Sequence, residues 1–251
     1  MDILADPTLL LVATAAYFIG GLLKGALGFG LPVLGVPLVT VAHSLPMALS
    51  LAIVPVVVTN IAQLWLFRAQ RGLPFLPGFL ICGALGLCIG ATMLSQFDNA
   101  YIEIALGCMV LLYLASRLGP RAGHGGRTDR AWAFGLLAGA VHGATGLSGL
   151  VGSPYLCSLN LPRPAFVFAI GAMFTAFSLI QAPVLILFGL FETDALRVSL
   201  FVLPVAFLGL YLGGLIGGRM EAQKFSRLVF AVLTITAILP IVNGVRSLSG
   251  V

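Results

Sequence analysis

The chain has 251 residues, of which 60% are hydrophobic and only 8% charged, a balance that a water-soluble domain of this size cannot carry on its surface. Lipid is therefore the expected solvent for most of it. The net charge of +5 resides in short breaks between apolar runs and not on one basic face, so no nucleic-acid partner is expected.

The start, Met1-Asp2-Ile3-Leu4-Ala5-Asp6, has no Lys or Arg before Lys24. A cleaved signal peptide would open on positive charge, so the first apolar segment is expected to stay in the mature protein. A first apolar region, 8–44, is longer than one span and is broken at Gly28, Gly30, Pro32 and Pro37. Stretches long enough to cross a bilayer come next at 46–67, 73–95 and 100–118, each near the roughly 20 residues that a spanning helix needs. The only polar linker, Gly119 to Arg130, is basic. A second broken region, 131–161, is interrupted at Gly146, Gly149, Gly152 and Pro154, and spans at 164–190, 196–218 and 225–244 complete the chain. Neither broken region reads as an ordinary helix. Cys82, Cys88, Cys108 and Cys157 all lie inside apolar segments, where they read as small core residues and not as a disulfide or metal framework. No metal or cofactor is expected.

The two broken regions parallel each other. GGLLKGALGFG (Gly20 to Gly30) aligns with AGAVHGATGLS (Ala138 to Ser148), matching Lys24 with His142, Gly25 with Gly143 and Gly28 with Gly146. Pro37-Leu38 aligns with Pro154-Tyr155, Leu45-Pro46 with Leu161-Pro162, and ALGLCIG (Ala84 to Gly90) with FLGLYLG (Phe207 to Gly213). The expected architecture is an all-α polytopic membrane protein of two homologous repeats, 1–118 and 131–251, joined by the basic linker 119–130. Each repeat is a Gly/Pro-broken helical hairpin followed by three transmembrane helices.

Charge bears on orientation, because cytoplasmic loops hold the excess of Lys and Arg. If each broken region dips in and returns to its own side, Arg68, Arg71, Arg117, Arg121, Arg127, Arg130, Arg163, Arg219, Lys224 and Arg227 fall inside and only Arg197 and Arg246 outside. The single-crossing alternative spreads the basic residues over both faces. Equivalent loops then carry opposite bias, Arg68 and Arg71 in the first repeat against Glu192 and Asp194 in the second, which is the mark of inverted repeats.

Non-helical backbone at membrane depth exposes amide and carbonyl groups that lipid cannot satisfy, so it persists around a polar cavity. The hairpin breaks are therefore the candidate site. Helix starts there offer free N–H groups and a positive dipole end, a setting for a small anion. Lys24 would supply charge, Gly28, Phe29, Gly30, Gly146 and Ser148 the backbone of the tips, and His142, titrating in the neutral range, a route for a coupling proton. Asn60, Gln63, Ser178 and Gln181, with Thr59 and Thr175 near them, would complete the shell. Helix-to-helix hydrogen bonding is the plainer role for such side chains, as small-residue packing is for the glycines. His43 and Asn160 carry no assigned chemistry. Gly209, Gly213 and Gly217 could pack within or between protomers, so the oligomeric state stays open.

The K-G-x-x-G-x-G core at Lys24, Gly25, Gly28 and Gly30, followed by Pro37-Leu38, resembles the TauE/SafE family of sulfite and organosulfonate transporters. Its echo after the basic linker and the G-x-x-x-G pairs near the last span of each repeat extend the resemblance over almost the whole chain. It implies a multi-pass carrier of the cell inner membrane that moves sulfite, sulfoacetate or a related organosulfonate, usually as export. Gly146-Leu147-Ser148 stands where a family glycine-rich turn would be expected. The anion is expected near the midplane at the hairpin tips, with alternating access from one repeat rocking against the other.

Two other readings fit parts of the sequence. Helix-end amides and a lysine can also line a passive anion channel. Gly146-Leu147-Ser148-Gly149 has the G-x-S-G form of rhomboid intramembrane proteases, but Ser148 would need a histidine on a separate helix, and His142 lies on the same broken segment. The charge bias makes a direct prediction. In a background without the native cysteines, a cysteine at position 71 should be labelled by a membrane-impermeant maleimide only from the cytoplasmic side, and one at position 194 only from the opposite side. Labelling of both from one side would remove the inverted arrangement.

Overall fold

The computed structural model describes residues 6–97, 99–118 and 127–217, together with Thr234, Ile238, Ile241, Val242, Gly244, Val245, Arg246, Leu248 and Ser249. Most of the linker (119–126), the basic cluster Arg219, Lys224 and Arg227, and most of the span expected at 225–244 lie outside the described residues. Among those described there are helices α1 (Pro7–Leu27), α2 (Leu31–Ala42), α3 (Leu45–Leu66), α4 (Leu76–Gln96), α5 (Asn99–Leu118), α6 (Ala131–Thr145), α7 (Gly149–Ser158), α8 (Arg163–Leu187) and α9 (Ala195–Gly217), and no strand.

Five of these helices, α1, α3, α4, α8 and α9, are long and apolar enough to cross a membrane, so the protein is a multi-pass membrane protein. One expectation needs correction, the extent of the breaks. The first broken region opens with an unbroken 21-residue helix, about 32 Å long. Asp6 caps it by accepting from the Thr8 and Leu9 amides at 2.9 and 3.1 Å, and Pro7 needs no partner for its nitrogen. The break is confined to Gly28–Gly30: Pro32, near the start of α2, is tolerated there, and Pro37 is carried inside α2, as Gly149, Gly152 and Pro154 are inside α7. Further on, α5 covers the stretch expected at 100–118 as one helix.

Both broken regions are hairpins. In the first, Gly20 faces Leu31 and Gly35 faces the Tyr17 ring, so α2 doubles back along α1. In the second, Ser148 meets His142, and Tyr155 stacks on Phe134 with ring centroids 4.5 Å apart. The Tyr155 hydroxyl donates to the Arg127 carbonyl at 3.3 Å, fastening the end of α7 to the approach to α6. There the exposed Arg127 guanidinium, hydrogen-bonded to Asp129 at 2.7 Å, holds the Asp129 carboxyl below its usual range.

The helices fall into two compact units, each drawn from separate stretches of the chain: 1–55 with 97–118 and 191–251, and 56–96 with 119–190. In the first unit α1 lies along α9, its glycines against the other backbone. A Cβ at Gly21 would fall on the Ala206 carbonyl oxygen, and one at Gly25 on that of Leu210. Gly209 and Gly213 likewise meet the Phe18 and Leu22 carbonyls of α1. Ser199 secures the start of α3 to α9 by donating to the Leu51 carbonyl at 2.8 Å.

In the second unit α6 lies along α4 in a matching register. Gly139 and Gly143 meet the Gly83 and Leu87 carbonyls, while Gly86 and Gly90 meet those of Leu136 and Ala140. Phe79 and Phe177 stack beside this contact, centroids 6.3 Å apart. Close backbone approach of this kind takes the place of the hydrophobic effect, which lipid does not supply between helices. Substitution along one helix isolates the effect. Gly86→Ala should destabilise by about 1–3 kcal/mol through overpacking, read as a lowered melting temperature in detergent. Gly78→Ala, also on α4 but with nothing within 4 Å of the added methyl, should leave the melting temperature unchanged or raise it slightly.

Candidate anion-binding site

In the first unit, α1 ends because Gly28 adopts a left-handed conformation (φ 89°) and donates its N–H to the Lys24 carbonyl at 2.7 Å. Lys24 is thus in the last turn of the helix, 2% exposed, where the negative end of the helix dipole favours a cation. Phe29 is half-buried. Gly30 precedes α2 with φ 138°, and a Cβ there would stand 2.8 Å from the Leu23 Cβ. Only glycine fits this position, on both conformational and steric grounds. Lys24, Gly28, Phe29 and Gly30 therefore form one tip, a buried lysine at a helix end followed at once by a helix start.

The second unit builds the corresponding tip from different side chains. Gly146 is again left-handed (φ 73°) and caps α6 by donating to the His142 carbonyl at 2.7 Å. Position 148, aligned with Gly30, has φ −51°, an ordinary helical value that a side chain can adopt. A serine is accommodated there for that reason, which explains the departure from a glycine-rich turn. Ser148 is fully buried, and its Oγ shares a 3.0 Å hydrogen bond with His142 Nδ1, the direction following the imidazole tautomer. His142 is itself 2% exposed. Its Nε2 has no hydrogen-bond partner among the described residues, and the Phe174 and Phe177 rings stand edge-on to the imidazole at 6.4 and 5.6 Å. The expectation that Ser148 would be out of reach of a histidine on its own segment is overturned, because the break at Gly146 folds the two together.

The polar residues of the long helices divide by role. Gln181 donates through Nε2 to the His142 carbonyl at 3.1 Å, so it braces the end of α6 against α8. Thr175 donates to the Gly171 carbonyl at 2.8 Å and Thr59 to that of Val56 at 3.3 Å, bonds within their own helices that occupy both hydroxyl protons. Asn60 donates Nδ2 to the Val56 carbonyl at 2.7 Å. A Cβ at Gly171 would lie 3.7 Å from both Asn60 Oδ1 and Gln63 Oε1, so those two carboxamides converge on the small face of α8. Ser178, on α8, is buried. His43 and Asn160 serve the turns: His43 Nδ1 pairs with Ser44 Oγ at 3.2 Å, and Asn160 takes a positive φ of 51° between α7 and α8.

Sequence reasoning passed over Tyr17. It is fully buried in α1 against Gly35, and its hydroxyl has no hydrogen-bond partner among the described residues. Inside an apolar run it looks like any core aromatic, and only the missing side chain at Gly35 hints that something large fills the space.

The model of the sulfite exporter TauE/SafE family matches residues 13–239, a stretch that includes both tips and the helices that carry them. No curated protein and no solved structure matches the chain. Since the match runs from within α1 across both hairpins to beyond α9, the chain belongs to the sulfite exporter TauE/SafE family of membrane transporters.

Proposed function

We propose that the protein is a secondary transporter of a small sulfur-containing oxyanion, sulfite, sulfoacetate or a related organosulfonate, across the cell inner membrane. The observation that carries this reading is a buried basic side chain, Lys24 or His142, four residues before a left-handed glycine at each hairpin tip. A lysine at membrane depth costs at least ~2.5 kcal/mol on insertion scales, and such residues mark ion and substrate paths. At the first tip Lys24 supplies charge, Gly28 and Phe29 turn the chain, and the α2 start at Gly30 supplies an oriented N–H group. At the second, Ser148 and Gly146 offer the polar backbone and hydroxyl, and His142 carries the coupling proton. Asn60, Gln63 and Ser178 provide neutral polar contacts, while Gln181 acts by holding His142 in place.

The repeats 1–118 and 131–251 are read as homologous and inverted. Support comes from the register of the paired helices, since α1–α9 and α6–α4 use residues related by the same offsets, Gly21 with Ala206 as Gly139 with Gly83. Hairpins that return along themselves also favour the re-entrant arrangement behind the charge argument. Alternating access would then carry the compact units, each containing parts of both repeats, in place of the repeats themselves.

Tracer flux of sulfite and sulfoacetate into proteoliposomes, with and without a pH gradient, tests the proposal. Wild type should show saturable flux stimulated by counter-substrate, as a carrier and not a channel does. Lys24→Met should reduce flux at sub-saturating substrate by roughly 10- to 100-fold, the value of a lost charge-assisted hydrogen bond, with folding intact by size exclusion. Undiminished flux in folded Lys24→Met protein would remove Lys24 from the site.

The contact between His142 and Ser148 favours a second reading, a serine hydrolase. Here the imidazole lacks the orienting acid of a triad: its Nε2 has no partner among the described residues, and Ser148 is fully buried. A fluorophosphonate probe should therefore leave Ser148 unmodified in active protein. Stoichiometric labelling would make the hydrolase reading the better one.

A further inference from the structure

The end of α3 and the loop after it carry features that transport does not use. Trp65 is 68% exposed on α3, and the Arg68 guanidinium lies over its ring at 4.8 Å. An exposed tryptophan stacked with an arginine at the end of a long apolar helix is the signature of the membrane–water interface. Arg71 comes within the same turn. The segment Arg68 to Phe75 contains no Asp or Glu, so its two positive charges are not balanced locally.

Beside Arg71 the second unit has an open groove of about 480 Å³. It is walled by Leu64 of α3, Leu76, Leu80 and Ile81 of α4, and Phe168 of α8, with Arg71 the one charged residue on its lining among the described residues. Ile81 is 65% exposed, so the groove opens on the apolar outer face of the spanning helices. A cleft of hydrocarbon character with a single cation on its lining suits a phospholipid, an acyl chain against the apolar walls and a phosphate at the arginine.

We infer that the groove formed by α3, α4 and α8 and lined by Arg71 is a binding site for an anionic phospholipid, with an acyl chain against Leu64, Leu80 and Phe168 and the phosphate held by Arg71, Arg68 assisting from its stack on Trp65. A zwitterionic lipid fills the groove equally well but gains less from the two arginines, because its own cation offsets the phosphate. Basic clefts between membrane helices select acidic headgroups by this difference. The equivalent loop between α8 and α9 carries Glu192 and Asp194, so the second repeat offers no matching headgroup site.

The full-length protein in nanodiscs, photolabelled with phosphatidylglycerol or phosphatidylcholine bearing the same diazirine acyl chain, provides the test. Peptide mapping should place label on α4 and α8 at the groove, with phosphatidylglycerol favoured about fivefold, the effect of roughly one arginine at a membrane surface. Arg71→Gln should bring the two lipids to similar labelling, and Leu80→Trp, which fills the cleft, should lower both. Melting temperature confirms that each variant is folded. Equal labelling by the two lipids in wild type, a phosphatidylglycerol preference that survives Arg71→Gln, or label located away from the groove would each overturn the assignment.

Discussion

A carbonyl oxygen stands where a β-carbon would have to stand at Gly21, Gly25, Gly139 and Gly143. Everything else in the two units depends on that approach. With glycine at these positions, α1 can lie on α9 and α6 on α4 at backbone contact, and the last turns of α1 and α6 are fixed by the same surfaces. Lys24 is the neighbour of Gly25, and His142 is the neighbour of Gly143. The residues that hold the helices together and the two buried basic side chains thus lie next to one another along one strip of sequence. A bulkier residue in the strip would move the basic side chain as well as weaken the packing.

Much of this was legible in the sequence, and for physical reasons. Spanning helices follow from hydrophobic length, so α3, α4, α8 and α9 begin and end within a few residues of the expected bounds. The glycines at 28 and 146 follow from the left-handed cap, a conformation that other residues adopt with strain. Pairing of α1 with α9 was not readable, because a small-residue ladder announces a close contact without naming the partner, and the partner here is far away along the chain. The polar side chains of the long helices also serve the helices themselves. Thr59, Thr175 and Gln181 lie at the expected places, yet their donors go to helix carbonyls, a local alternative that spacing cannot distinguish from a ligand contact.

The contact between His142 and Ser148 shows a different limit. On a continuous helix, side chains six residues apart lie on different faces. The left-handed turn at Gly146 cancels that separation by reversing the chain between the two. The same turn at Gly28 leads into a glycine at position 30 with φ 138°, whereas position 148 relaxes to φ −51°. The two tips share a cap and differ in the residues beyond it: one is bare backbone beside a lysine, the other a hydroxyl and an imidazole. Two tips of like frame thus carry unlike chemistries, where the backbone dihedral at a single position decides whether a side chain is admitted.

The exchange of helices between the ends of the chain also sets a schedule for synthesis. α6 emerges about 35 residues after α4 ends, so their contact can close within seconds at ~5–20 residues per second. α1 must wait for α9, whose start lies about 170 residues beyond the end of α1, a delay of roughly 10–35 s at the same speeds. Throughout that interval Lys24 is already in the membrane and the Gly21 and Gly25 face is still open to other helices. The unit that contains the lysine is therefore the last to close on the ribosome, and the nascent hairpin is the part of this chain most exposed to wrong partners or to the quality-control machinery of the bilayer.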